Sequence, residues 1–212
     1  MELFNYRKSY TKHKLSINDI GDNPIDFFVK WFKDAENSSQ ISEPNAMTIS
    51  TVDENSFPSS RVVLLKQIKE RSLIFFTNYN SNKGKSLEKN ENICASFYWP
   101  SLERQVIIKG KAKKLPLVES EDYFNSRPRG SQISASVSLQ SSELDSYESL
   151  EKRSREFEAE YLDKEIQRPT RWGGFLVKPK SIEFWIDQKN RLHKRELFTI
   201  DDSDWKMVLL SP

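Results

Sequence analysis

The sequence predicts a mainly β protein of the α+β class, a single antiparallel β-barrel with peripheral helices. Runs rich in β-branched and aromatic residues fill most of 46–115 and 173–212, and clusters of turn-forming residues separate them. Most links between these runs are too short for the crossovers that parallel strands need. A chain of 212 residues is also long enough to bury one substantial core.

The first regular element is expected to be a helix. Residues 1–21 mix charge and tyrosine without a period, which predicts a mobile N-terminal arm. Asp22 or Asn23 can then cap a helix that has Pro24 in its first turn, and apolar residues recur at helical spacing over 25–35. Residues 22–212 contain no linker-like stretch and are predicted to form one domain.

The strands are predicted in two groups, with helices between them. The first group covers 46–52, 59–68, 72–79, 93–99 and 104–115. Short or interrupted helices are expected at 81–90, at 116–137 with breaks at Pro128 and Gly130, and at 142–164. The second group of strands covers 173–179, 181–187, 191–200 and 205–212, with hairpin turns at 187–190 and 201–204.

Composition excludes several classes of function. A net charge of +2 provides no global field for a polyanion, which argues against nucleic acid as the main partner. Cys94 is the only cysteine, so no internal disulfide or thiolate cluster can form, and two histidines are too few for a His-rich zinc site. We therefore expect no metal site.

The few glycines also carry information. None of the six lies in a GxGxxG or GxxxxGK pattern, so any phosphate must be held by side chains rather than by a glycine loop. No apolar run is long enough to span a bilayer, and residues 1–15 do not resemble a signal peptide. Together with the lone cysteine, this predicts a cytoplasmic protein without a membrane partner.

Tyr123, Arg127 and Ser131 are the first candidate site. Their spacing of four and four would place a phenol, a guanidinium and a hydroxyl on one face of a helix. These groups are good donors to a phosphate. The alternative interpretation is a solvated arginine beside a half-buried tyrosine.

Arg191, His193 and Arg195 are the second candidate site. In a strand they would share one face, and three adjacent cations favour an anionic ligand between them. Phe184 and Trp185 on the preceding strand would supply an apolar wall. An exposed, solvent-screened basic strand face remains the alternative.

A third group of polar residues lies at strand ends and turns. Arg61 and Lys66 bound an apolar strand, and each should meet a carboxylate, a phosphate or water. Further polar candidates are Thr77, Lys83, Gln105, Gln140 and Ser141, each of which could also be ordinary surface.

No nucleophile constellation is evident. Cys94 lies in an apolar strand and is interpreted as a buried, inert thiol, and the pair Asp201 and Asp202 lies in a solvated turn. Anion donors are plentiful and hydrolytic machinery is lacking, so a bound cofactor is expected to carry the reaction.

Eight segments of the chain form a recognisable series: RVVLLK (61–66), FFTN (75–78), SLERQV (101–106), YFNSRPRGSQI (123–133), QSS (140–142), WGGF (172–175), IEFW (182–185) and RLHKR (191–195). Taken in this order, they closely resemble the pyridoxamine 5′-phosphate oxidase family. The resemblance runs from about residue 6 to Pro212. It implies an FMN-binding split β-barrel, an antiparallel Greek-key barrel that forms a homodimer with FMN at the subunit interface. It also implies an oxidoreductase acting on CH–NH2 donors, which oxidises pyridoxamine or pyridoxine 5′-phosphate to pyridoxal 5′-phosphate with molecular oxygen, releasing hydrogen peroxide and, from the amine, ammonia.

The resemblance also implies roles for individual residues. Arg191 and His193 would be catalytic. FMN would be held by Arg61, Val62, Val63, Leu64, Leu65, Lys66, Phe76, Thr77, Lys83, Gln105, Gln140, Ser141, Trp185 and Arg195. The substrate would be bound by Arg7, Lys8, Ser9, Tyr10, Lys66, Tyr123, Arg127, Ser131, Arg191, Leu192 and His193.

One position departs from the family pattern. Asn82 stands where relatives often carry arginine, so one contact to the FMN phosphate would be absent, at a cost of about 1–3 kcal/mol unless Lys85 substitutes. Three rival functions remain open at this point: a flavin reductase that uses a nicotinamide cofactor, a non-catalytic carrier of flavin or vitamin phosphate, and an interaction domain with a basic strand face.

Overall fold

The computed structural model describes residues 23–201 and 204–212. Its helices are α1 (Pro24–Glu36), α2 (Asn82–Lys89), α3 (Leu117–Asn125), α4 (Arg129–Val137) and α5 (Tyr147–Glu160). Its strands are β1 (Ala46–Val52), β2 (Pro58–Leu64), β3 (Gln67–Lys69), β4 (Ser72–Asn78), β5 (Asn92–Trp99), β6 (Arg104–Lys114), β7 (Trp172–Ile186), β8 (Lys194–Asp201) and β9 (Asp204–Leu210). The predicted N-terminal arm lies outside the described residues.

The strands form one antiparallel sheet that curls back on itself. The strand order along the sheet is β2-β1-β5-β6-β7-β4-β3, with β8 and β9 branching from β7. The two ends of this path, β2 and β3, are consecutive in the chain and are separated only by Leu65 and Lys66. The Leu65 N–H donates to the Asn45 carbonyl and the Lys66 N–H to the Ile74 carbonyl, both at 2.8 Å. The predicted antiparallel barrel with peripheral helices is confirmed.

Aromatic residues fill the core and attach α1 to the barrel. The Asn23 side chain caps α1 by accepting from the Ile25 N–H at 3.0 Å, as the sequence predicted. Phe28 packs against Phe97 with ring centroids 5.0 Å apart, and Trp31 meets Phe184 edge-on at 5.2 Å. Burial of these large rings is the main favourable term in holding the helix on the barrel.

A second, smaller core fixes α3 and α4 beside the barrel. Phe124, Ile133, Ile166 and Trp172 are buried together, with Phe76 and Tyr123 packed against them. The rings of Phe76 and Tyr123 stack with centroids 3.8 Å apart, which ties α3 to β4. This cluster determines where the segment around Arg127 lies.

Several predicted boundaries were wrong. The strand expected over 59–68 is divided, because the chain turns at Leu65 and Lys66 between β2 and β3. The strands expected at 173–179 and 181–187 are one strand, β7. Its Pro179 lies opposite Gly110, at a register shift in the pairing of β6 with β7. Gly130 lies inside α4 and breaks nothing, whereas Pro128 does separate α3 from α4.

Candidate functional site

A cavity of about 640 Å³ lies where β2 and β4 meet the segments around α2, α3 and α4. Four cations line it: Arg61, Lys66, Lys83 and Arg127. The described residues lining the cavity include no Asp or Glu, and in the described part of the chain none of these four cations forms a salt bridge. Because adjacent unpaired cations repel one another, such a cavity favours an anionic ligand.

Arg127, which lines this cavity, has a hydrogen-bond donor atom without an acceptor in the described part of the chain. Its guanidinium lies over the Trp172 ring at 4.5 Å and near the Phe124 ring at 5.8 Å. Its Nη1 atom is buried and has no hydrogen-bond partner within the described residues. Burial lowers the pKa of Arg127, but a guanidinium remains charged at neutral pH. A buried, charged N–H group without an acceptor fits a phosphate oxygen.

Tyr123 and Ser131 line the same cavity as Arg127, but not from one helix. Tyr123 belongs to α3, Ser131 belongs to α4, and Arg127 lies in the turn between them. The predicted grouping is therefore right, while the predicted single helical face is wrong. Proline at 128 has no N–H for a continuing helix, so the turn brings the three groups together.

The start of α2 places Lys83 in the lining of the cavity. Ser81 caps this helix by accepting from the Gly84 N–H, and a Cβ on Gly84 would lie 2.1 Å from the Tyr79 carbonyl oxygen. Lys83 is only 8% exposed, and burial together with the charge of Arg61 lowers its pKa to about 8. This ammonium is thus poorly compensated by the protein alone.

An amide oxygen gathers the polar groups around Lys83. The Lys83 ammonium donates to Gln140 Oε1 at 2.6 Å, and the Thr77 hydroxyl donates to the same atom at 3.3 Å. These neutral partners orient Lys83 without cancelling its charge. The predicted residues Thr77, Lys83 and Gln140 are therefore brought together by the fold.

A separate group of predicted residues lies on the sheet itself. Gln105 of β6 is the register partner of Trp185 of β7, which is in turn the partner of Arg195 of β8. Directly paired residues in adjacent strands point to the same side of a sheet, so the three form one row. None of them lines the 640 Å³ cavity.

The predicted shared strand face of Arg191, His193 and Arg195 is wrong. Strand β8 begins only at Lys194, so Arg191 and His193 precede it in a turn. Arg195 pairs with Glu183 at 2.8 Å, and His193 Nδ1 lies 2.7 Å from Asp187 Oδ1. Because each of these two groups has its own carboxylate, they need no common anion to offset their charges.

Arg191 is held in an unusual backbone conformation. It ends a short 3₁₀ turn, Lys189–Arg191, with φ of 62°, and Asn190 before it has φ of 58°. Left-handed φ is uncommon for residues other than glycine, and two in succession store strain of about 1–3 kcal/mol each. The Arg191 side chain is exposed.

The fold divides the predicted site residues into two sets. The cavity is lined by Arg61, Val62, Val63, Leu64, Lys66, Phe76, Thr77, Lys83, Tyr123, Arg127, Ser131 and Gln140. The other set does not line it: Leu65, whose side chain is in the core, Gln105, Ser141, Trp185, Arg191, Leu192, His193 and Arg195. The predicted residues Arg7, Lys8, Ser9 and Tyr10 lie outside the described residues.

Three lining residues were missed by the sequence reasoning: Asn78, Pro128 and Trp172. Trp172 belongs to the WGGF segment, in which a Cβ on Gly173 would lie 2.2 Å from the Tyr79 hydroxyl oxygen. The paired glycines of this segment were the available sequence signal of a close approach. Asn82 and Lys85 are exposed and do not line the cavity.

Comparison with known proteins identifies families that match both parts of the chain. A family model described as pyridoxamine 5′-phosphate oxidase matches residues 34–161. A second, described as the pyridoxine 5′-phosphate oxidase C-terminal dimerisation region, matches residues 172–212.

No helix in the described residues is both long and apolar enough to cross a bilayer.

Individual relatives are similar over the whole length. A pyridoxine/pyridoxamine 5′-phosphate oxidase of Christiangramia forsetii is 50% identical, with 100% of this chain and 99% of the relative covered. One of Haemophilus influenzae is 44% identical, with both chains fully covered. The crystal structure of PhzG from Burkholderia lata in complex with tetrahydrophenazine-1-carboxylic acid matches with a TM-score of 0.86 and 31% identity, covering 92% of this chain and 95% of that one.

Proposed function

This chain belongs to the pyridoxamine 5′-phosphate oxidase family, and on that premise we propose that it oxidises pyridoxamine and pyridoxine 5′-phosphate to pyridoxal 5′-phosphate. Its barrel is the split barrel of that family. The observation that supports the proposal best is the cavity, which is lined by four cations that form no salt bridge within the described residues. Substrate and cofactor in this reaction each carry a phosphate.

FMN is the proposed cofactor, and the residues present fit it. Arg61 and the group formed by Thr77, Lys83 and Gln140 offer charge and hydrogen-bond donors for its phosphate. When bound, FMN would supply two-electron oxidation of the exocyclic carbon of the substrate, with molecular oxygen as the final acceptor giving hydrogen peroxide and water releasing ammonia from the amine. A glycine loop is not needed for such a phosphate site.

The substrate phosphate is assigned to a second group of residues in the cavity lining. Lys66, Tyr123, Arg127 and Ser131 would hold it, and this anchor would fix the substrate ring in one place. Because the phosphate is held away from the reacting carbon, the substrate is oriented relative to the cofactor before it reacts.

We assign the second set of residues to the same reaction through a homodimer. Gln105, Trp185 and Arg195 would contact FMN, and Arg191 and His193 would contact the substrate ring and its polar substituents. Within one chain these residues do not line the cavity, so a second copy would have to supply them. The match of residues 172–212 to a dimerisation region supports this arrangement. The lone cysteine supports a reducing, cytoplasmic setting.

The direct test is anaerobic mixing of the purified protein with pyridoxamine 5′-phosphate. We expect a yellow protein with about one FMN per chain, whose flavin absorbance bleaches on mixing and returns with oxygen. A protein that stays colourless after FMN titration would contradict the assignment. Rapid oxidation of NADH without bleaching by pyridoxamine 5′-phosphate would indicate a flavin reductase, and binding without peroxide would indicate a carrier.

Replacing Lys83 by methionine should affect the stability of the apoprotein and its affinity for FMN in different ways. Below pH 8 the folded apoprotein must keep a buried ammonium charged, whereas the unfolded chain titrates near 10.5. Stability of the apoprotein therefore rises with pH between about 8 and 10.5, and Lys83→Met removes this pH dependence. The variant should melt at an equal or higher temperature at pH 7 but bind FMN about tenfold or more weakly.

The pH dependence of FMN binding provides the matching measurement. Since a phosphate favours charged Lys83, the wild-type affinity should fall as pH rises above about 8, and the variant should lose this fall. Lys85→Met, two residues along the same helix and exposed, is the control. Weakened FMN binding in that control would show that Lys85 compensates for Asn82.

A further inference from the structure

Asp187 is a buried carboxyl group that the proposed reaction does not yet use. It follows the end of β7, it is 4% exposed, and its backbone N–H donates to the Glu103 carbonyl at 3.0 Å. Desolvation raises the pKa of Asp187, the charge of His193 opposes that rise, and the nearby carboxylate of Glu103 adds to it. A carboxyl group in such a place needs a polar partner.

His193 is that partner. Its Nδ1 lies 2.7 Å from Asp187 Oδ1, within ion-pair distance, and this buried oxygen has no other polar partner among the described residues. The backbone nitrogen of Gln188 also lies 3.3 Å from Nδ1. Nδ1 is therefore fully engaged by the turn that carries it, and Nε2 is the nitrogen left to meet a ligand.

The imidazole ring is also fixed on its face. The Trp185 ring lies with its centroid 4.8 Å from that of His193, and the His193 side chain is 18% exposed. Contacts on one edge and one face leave the ring little freedom to rotate. Among the charged groups of this region, Arg104 pairs with Asp34 at 2.7 Å, and the carboxylate of Glu103 lies close enough to act on Asp187.

We propose that Asp187 is the positioning residue of His193, holding its ring and the proton on its inner edge so that Nε2 faces the substrate. The inference rests on the proposed function, in which His193 meets the ring substituents of the substrate. In the neutral imidazole, a hydrogen held on Nδ1 by the Asp187 carboxylate leaves Nε2 as the acceptor that meets a polar substituent of the substrate.

Asp187→Asn tests this coupling because asparagine keeps the shape and removes the charge. We expect the limb of the pH profile of kcat/KM that His193 sets to move to lower pH, with the FMN content and the KM for the phosphorylated substrate little changed. Combined with His193→Asn, the substitution should have no further effect, since Asp187 acts through His193. Equal losses in both backgrounds would overturn the proposal.

A readout without substrate distinguishes this inference from the proposed function. The chain has only two histidines, so the ring nitrogens of His193 can be followed by NMR with His13 as internal reference. In the wild type, Nδ1 should be hydrogen-bonded, and its signal should change in Asp187→Asn while those of His13 stay constant. An unbonded Nδ1 in the wild type, or an unchanged His193 signal in the variant, would overturn the positioning role even if the enzyme oxidises its substrate.

Discussion

Replacing Arg191 by alanine should lower turnover about a hundredfold while leaving FMN content nearly unchanged. The reason is location: Arg191 is exposed in a strained turn, pairs with no carboxylate in the described residues, and is assigned to the substrate rather than to the cofactor. Steady-state kinetics and flavin absorbance of the same preparation measure the two quantities.

Lys189→Ala is the matched control for Arg191→Ala. It removes an exposed cation from the same short turn, so it tests whether any change of charge there affects turnover. We expect near wild-type kinetics from it. Parallel loss of FMN and of turnover in Arg191→Ala would show that the residue holds the cofactor instead.

The second large effect is expected at Arg127. Removing its guanidinium takes away the buried, unpartnered Nη1 that we assign to the substrate phosphate. Arg127→Ala should raise KM by about 10- to 100-fold, equivalent to roughly 1–3 kcal/mol, with a smaller change in kcat. An unchanged KM would remove Arg127 from the phosphate site.

Arg127 also packs against Trp172, so its truncation could loosen α3 and α4. Arg127→Lys and a melting curve separate the two effects: lysine keeps a charge but lacks the planar fork, so an intermediate KM at unchanged melting temperature is expected. Arg153→Ala, on the exposed surface of α5, controls for the loss of one arginine charge. It should leave KM unaltered.

The wrong prediction at 191–195 arose because the sequence does not show which carboxylates lie beside these cations. Alternation along RLHKR indicated three cations on one strand face, because a strand was assumed to begin at Arg191. The backbone instead turns at Asn190 and Arg191. Two carboxylates outside the RLHKR segment contact its side chains: Asp187 contacts His193, and Glu183 contacts Arg195. Turn geometry of this kind depends on the hairpin as a whole rather than on local residue types.

The sequence alone determined the antiparallel barrel and placed the cap of α1 at Asp22 or Asn23, because periodicity and capping residues are local properties. Its glycine pattern predicted that side chains hold any phosphate. The grouping of Tyr123, Arg127 and Ser131 was also visible in their spacing. Only the tertiary structure decided that Arg61, Lys83 and Arg127 line one cavity, that Trp172 lies under Arg127, and that Asp187 engages His193. The contacts around the cavity join residues far apart in the chain, and their distances follow from strand register and packing of the small core around Phe124, which no local pattern encodes.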